Sequence, residues 1–135
     1  MNEIYQDILR RVEEANAARP TPLRSALTDL LINHPATQPH DQCGPANKKM
    51  IRYKLANGMS LGHEIENGPQ HLWFRADHLP HGFENEAKLY PPTQGGKGRH
   101  ANVNQMPDLR DEAVARLTIK DLDQAVRLLN GLLGK

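Results

Sequence analysis

The chain has 135 residues, with 17 Lys and Arg against 16 Asp and Glu and a formal net charge of +1, which excludes a uniformly basic nucleic-acid coat and a polyanion mimic and leaves any nucleic-acid affinity to local patches. Hydrophobic residues make up 38% and aromatics only 4%, so one domain is expected, with a core of Leu, Ile, Val and Ala around few rings. A single cysteine, Cys43, excludes an intramolecular disulfide, no apolar run reaches the roughly 20 residues of a membrane helix, and without a signal peptide a soluble cytoplasmic protein is expected.

From Asn2 to about Ala18, Ile4, Ile8, Val12 and Ala15 recur every three or four residues, with Leu9 widening the stripe. That spacing predicts an amphipathic helix ended by Arg19-Pro20. Thr21 and Pro22 suit a cap and a first helical residue, so a second helix runs to His34-Pro35 with Leu23, Leu27, Leu30 and Leu31 on one face. The short connection makes the pair an antiparallel hairpin. Residues 35–49 hold Pro35, Pro39, Gly44 and Pro45 and no hydrophobic period, which reads as a Pro-rich linker between a 1–34 hairpin and a 50–135 α+β domain.

Met50 to Ala76 alternates as strands do and is broken at Asn57-Gly58 and Asn67-Gly68, predicting a three-stranded antiparallel meander. Register follows because opposed residues share a face. A two-residue turn at Asn57-Gly58 would oppose Lys54 with Leu61 and mix the faces. A three-residue turn of Ala56, Asn57 and Gly58, with Gly58 left-handed, opposes Leu55 with Met59, Tyr53 with Leu61 and Ile51 with His63. At the second turn a two-residue Asn67-Gly68 loop opposes His63 with Leu72 and Leu61 with Phe74, beside a Pro69 that has no N–H to give.

His63 thus falls on the apolar face, as a structural residue. The opposite face receives His71, Trp73 and Arg75 with Glu64 beside them. An exposed ring flanked by a cation and an imidazole is how single-stranded nucleic acids and protein hot spots are engaged. The competing reading covers Trp73 with the C-terminal helix or the N-terminal hairpin.

Pro80, Gly82 and Pro91-Pro92 punctuate residues 77–92, leaving at best a helical turn or two over Glu84 to Tyr90. Beyond the 95–105 segment, Glu112 to Ile119 reads as a strand with Ala113, Ala115, Leu117 and Ile119 on one face. Thr118 then caps a final helix, with Asp121 in the capping-box place and a buried stripe of Leu122, Ala125, Val126, Leu129 and Leu133. The expected fold is α+β: an N-terminal helical hairpin and a small antiparallel sheet, the meander plus a C-terminal strand, packed by the C-terminal helix.

The segment Gly95 to Gln105 holds three glycines, Lys97, Arg99, His100 and the amides Asn102, Asn104 and Gln105. It lacks the spacing of a Walker loop and follows no Rossmann strand, yet open backbone N–H groups and clustered cations suit an anionic or polar ligand. Arg grips phosphate or carboxylate with two parallel bonds, and Asn reads an amide-like edge. Lys97, Arg99, His100, Asn102 and Asn104, supported by Arg75 and Trp73, therefore form the expected binding site of a non-catalytic module for nucleic acid or a nucleoprotein partner.

Two alternatives stand beside it. In one, His100 is the acid or base of a phosphodiesterase or nuclease, with Asp108, Asp111 and Glu112 as the nearby acids; Cys43, in a Pro-rich stretch without a basic helix end, is not the expected nucleophile. In the other, the N-terminal hairpin is the interaction or inhibitor surface, and its stripe Ile4, Ile8, Val12, Leu27, Leu30 and Leu31 pairs two copies into a homodimer. No cofactor and no metal are expected. The one ligand count that permits zinc combines His40, Cys43, His78 and His81.

Overall fold

The computed structural model describes residues 3–94 and 97–135. Asn2, the expected start of the first helix, and Gly95 and Gly96 of the glycine-rich segment lie outside the described residues. Helices α1 (Glu3–Ala18) and α2 (Pro22–Asn33) precede strands β1 (Thr37–Pro39), β2 (Met50–Leu55), β3 (Ser60–Glu64), β4 (Gln70–Arg75), β5 (Ala87–Tyr90) and β6 (Val114–Ile119), and α3 (Leu122–Leu132) comes last. The class is α+β, and the six strands form one antiparallel sheet in the order β1-β2-β3-β4-β6-β5, two strands larger than expected.

The meander has the expected register. Gly58 adopts φ 90°, where a Cβ would be strained, and the Leu55 N–H donates to the Met59 carbonyl at 2.8 Å. Tyr53 then faces Leu61, Ile51 faces His63, and His63 faces Leu72. One apolar surface results, made of Ile51, Tyr53, Leu61, Leu72, Phe74, Ala115 and Leu117. It merges with Ile8 and Val12 of α1, Leu27 and Leu31 of α2, and Ala125 and Leu128 of α3 in one core.

The helical hairpin therefore packs on the sheet, and residues 35–49 are not a linker. Thr37–Pro39 pairs with β2 as an edge strand, the His40 N–H donates to the Arg52 carbonyl at 2.9 Å, and Ala46 bridges Ile51. Pro and polar residues are what an edge strand tolerates, so composition alone reads as a loop. Residues 87–90 correct the other loop reading: instead of a helical turn they pair with β6, Lys88 opposite Arg116 and Tyr90 opposite Val114. Four residues at an edge carry too little alternation to announce a strand without their partner.

Helix α3 begins one turn later than expected. Asp121, not Thr118, is its cap, accepting the Gln124 N–H at 2.8 Å, while Thr118 stays in β6 with its hydroxyl 2.9 Å from His71 Nδ1. The buried stripe is Ala125, Leu128, Leu129 and Leu132, whereas Leu122 and Val126 remain 38% and 40% exposed. Leu122 and Val126 lie at one edge of a wide apolar arc, so spacing alone centred the stripe to one side of the buried face. In α2 the buried positions are Arg24, Leu27, Thr28 and Leu31, two of them polar.

The second face of the sheet is also covered. Segment 97–112, with a 3-10 turn at Val103–Gln105, lays Val103, Met106 and Leu109 over Met50, Trp73 and Val114. Gly62 lies beneath it, because a Cβ there would stand 2.9 Å from Met50 Sδ and 3.1 Å from Met106 Cε.

Candidate functional site

The polar groups of segment 97–105 mostly face inward. Arg99 spends its guanidinium on the chain itself: Nε donates to Asn104 Oδ1 at 3.0 Å, and the terminal nitrogens donate to the carbonyls of Leu109, Arg110 and Glu112. With four of its five N–H groups so used, it clasps the loop and is not poised to grip an anion. Asn102 is buried; its Oδ1 accepts from Asn47 Nδ2 at 2.6 Å. Beneath it Arg52 donates to Gln105 Oε1 at 2.6 Å and to the Gly44 carbonyl at 2.5 Å. These bonds tie the covering segment to β2 and to residues 44–47. Replacing Arg99 with Ala is expected to lower stability by about 1–2 kcal/mol and to speed amide exchange across residues 103–112; unchanged exchange would show that the clasp is not holding the segment.

Trp73 lies on the face opposite the helices, as the register predicts, but it is 2% exposed, so the exposed-ring reading is corrected. Neither helical element covers it; segment 97–112 does. Its indole N–H donates to Glu64 Oε1 at 2.9 Å. Tyr90 packs beside it with ring centroids 5.1 Å apart, and His100 meets it edge-on at 6.4 Å, which joins the sheet and the loop at one place. Arg75 is occupied by Asp77 at 3.0 Å and Glu112 at 3.5 Å.

Two of the side chains that remain available, Arg116 and Lys88, were not singled out by the sequence. The Arg116 guanidinium carbon stands 5.9 Å from the Trp73 ring and 6.0 Å from Tyr90, and the exposed Lys88 ammonium stands 5.0 Å above Tyr90. Both contacts are within cation–π range. Lys88 and Arg116 are directly opposed across β5 and β6, and among the described residues neither forms an ion pair. His71 lies near this group. Burial pushes its imidazole below the usual range, Glu64 opposes that, and Arg116 and His100 add to it. Lys97 is exposed on the same segment as His100. The signal for Arg116 was present: with Ala115 and Leu117 on the core face, alternation puts Arg116 on the face of Trp73.

A serine, a histidine and an aspartate also meet, at the other side of this face. His40 Nε2 is 2.8 Å from Ser60 Oγ, and Ser60 Oγ donates to Asp108 Oδ1 at 2.6 Å. The Gln42 N–H donates to His40 Nδ1 at 3.1 Å, so the neutral ring carries its proton on Nε2 and Ser60 accepts it. The hydroxyl proton goes to Asp108 and no base is free to take it, the reverse of an activated nucleophile. Ser60 is 2% exposed, and the trio fastens residues 40, 60 and 108 together. Burial pushes the nearby Cys43 thiol up and His40 down, which keeps the thiol protonated and the imidazole neutral.

Among the described residues no three His, Cys, Asp or Glu side chains are grouped to hold a metal ion, so His40, Cys43, His78 and His81 do not form a four-ligand set. His78 lies 3.7 Å from Asp77, and the fully exposed His81 lies 3.2 Å from Glu84. Comparison with family models, with curated proteins and with solved structures finds no match.

Proposed function

We propose that this chain is a non-catalytic recognition module for nucleic acid or a nucleoprotein partner, with its contact surface centred on Lys88, Tyr90 and Arg116 and flanked by His71, His100 and Lys97. The observation that carries the reading is the opposed Lys88–Arg116 pair on the Trp73–Tyr90 floor. Like charges directly across two strands oppose folding, and among the described residues no acid in an ion pair offsets them. An anion supplied from outside would.

Aromatic rings beside unpaired cations are also the means by which single strands are held without sequence readout. Compared with the expected site, the surface keeps His100 and Lys97 and gives up Arg99, Asn102 and Asn104, whose bonding capacity goes to the loop. The hairpin-mediated alternative has less support, because Ile8, Val12, Leu27 and Leu31 are already buried in the chain's own core. A homodimer built on them would require the hairpin to leave the sheet.

Fluorescence anisotropy with a labelled oligothymidylate over a salt series tests the proposal. Lys88→Gln and Arg116→Gln are each expected to weaken binding and to reduce the log–log salt slope by about one. Arg75→Gln, which removes a cation already paired with two carboxylates, is expected to leave the slope unchanged. Absence of binding by the parent, or slopes indifferent to Lys88 and Arg116, would overturn the proposal.

A further inference from the structure

Resting on the reading of this surface as a nucleic-acid site, we infer that it takes the phosphorylated end of a strand, a terminal phosphomonoester joined to a stacked base, and not the interior of a strand. Arg116 is the anchor. Its Nε is buried with no acceptor, and its guanidinium lies against two rings, so the planar head is restrained before any ligand arrives. A planar fork held in place loses less freedom on binding than a mobile one and matches two phosphate oxygens at once.

Around that fork the cations form a compact group, not a track. Lys88 is opposite in register, and the imidazoles of His71 and His100 are near enough to influence one another and Arg116. The other cations on the strands of this face are committed, Arg75 to Asp77 and Glu112, Lys54 to Asp41 at 3.0 Å and Arg52 to oxygens of the chain; on the covering segment Arg99 is committed too, while Lys97 and Arg110 are exposed. Successive phosphates crossing these strands would meet no free cation beyond Lys88 and Arg116, and toward His71 they would approach the buried Glu64 carboxylate. A strand interior needs such a path, since its affinity is the sum over several phosphates.

A terminal phosphomonoester does not. It carries about −1.5 to −2 charges at neutral pH and three terminal oxygens, against a single charge and two free oxygens on a diester. Two fixed cations and two imidazole donors match the former. Half-buried Tyr90 supplies the stacking ring, and Lys88, exposed on a flexible stem above it, is the group able to yield that ring face to a base and move to the phosphate.

The test compares oligothymidylates carrying a 5′-phosphate, a 3′-phosphate or hydroxyls at both ends, together with thymidine 5′-monophosphate and inorganic phosphate as competitors, all against the full chain. At least one phosphorylated end is expected to bind about tenfold more tightly than the hydroxyl-ended strand, equivalent to one strong charge-assisted contact set. The mononucleotide is expected to compete better than inorganic phosphate. Arg116→Lys, which keeps charge but loses the fork, is expected to abolish most of the preference. Lys88→Gln, at an exposed edge position where folding is not at stake, is expected to reduce it severalfold. Equal affinity for phosphorylated and hydroxyl-ended strands would overturn the end-binding inference and leave the recognition module standing; no binding of any strand would remove both.

Discussion

Replacing Arg24 with Met is expected to cost about 3–5 kcal/mol of folding stability, the range for stripping a buried charged group from its partners. Arg24 has no exposed surface and, among the described residues, no carboxylate partner. Its guanidinium is solvated by the chain: Nε donates to the Ile65 carbonyl at 2.8 Å, one terminal nitrogen to Asn16 Oδ1 at 2.7 Å and the Arg19 carbonyl at 2.6 Å, and the other to the Asn67 carbonyl at 2.9 Å.

These acceptors belong to the end of α1, the α1–α2 turn and the β3–β4 turn, so one side chain fastens the hairpin to the sheet. A methionine fills the space and leaves the oxygens without donors, and backbone oxygens cannot be substituted away with it. Arg24→Lys keeps the charge but cannot span all four acceptors, and an intermediate loss is expected. Urea unfolding at neutral pH measures both, as a fall in midpoint at constant slope. A loss below about 1 kcal/mol for the methionine variant would mean that water replaces the guanidinium at these oxygens.

Arg24 also shows where sequence reading reaches its limit. Positions 24, 27, 28 and 31 share one helical face, but an apolar count passes over Arg24 and Thr28 and rotates the stripe toward Leu23 and Leu30. The Thr28 hydroxyl is satisfied inside its own helix, donating to the Arg24 carbonyl at 2.8 Å. The meander was legible down to individual pairs because a glycine turn and a period of two constrain each other. Strands β1 and β5 were not, since short polar edges acquire their identity from the neighbours they pair with.

The candidate site divides along the same line. Alternation placed Trp73 on the correct face, and the proximity of Trp73 and His100 joined the two segments the sequence had marked. Local composition could not tell whether Arg99, Asn102 and Asn104 point out toward a ligand or in toward their own backbone. That depended on how many carbonyls segment 97–112 leaves unpaired as it crosses the sheet. Lys88 and Arg116 came to prominence only once β5 was a strand, because the opposition between them exists only in the paired sheet.

Acid is expected to destabilise this fold well above the pH at which carboxylates titrate, chiefly through His63. The residue is wholly buried. Its Nε2 lies 2.8 Å from Gln70 Oε1; because the Gln70 amide nitrogen donates to the Asn67 and Gly68 carbonyls, that oxygen is an acceptor and Nε2 carries the proton. Nδ1 is buried without a partner, so a second proton would have no acceptor. Burial pushes the imidazole down to about 4; the Gln70 bond opposes this, and Arg24 and His71 add to it.

A histidine depressed in the folded state is stabilising above its unfolded value, near 6.5, and that stability is lost as pH falls toward the folded value. The expected loss is about 2 kcal/mol between pH 7 and pH 5, and about 3 by pH 4. His40 and His71, both shifted down, contribute in the same direction. His63→Gln, which retains an N–H for Gln70 and cannot titrate, is expected to flatten most of the slope between pH 4 and 6.5 while leaving the remainder due to His40 and His71. Urea midpoints measured across that window decide it: a variant whose midpoint falls with acid as steeply as the parent's would place the proton uptake elsewhere.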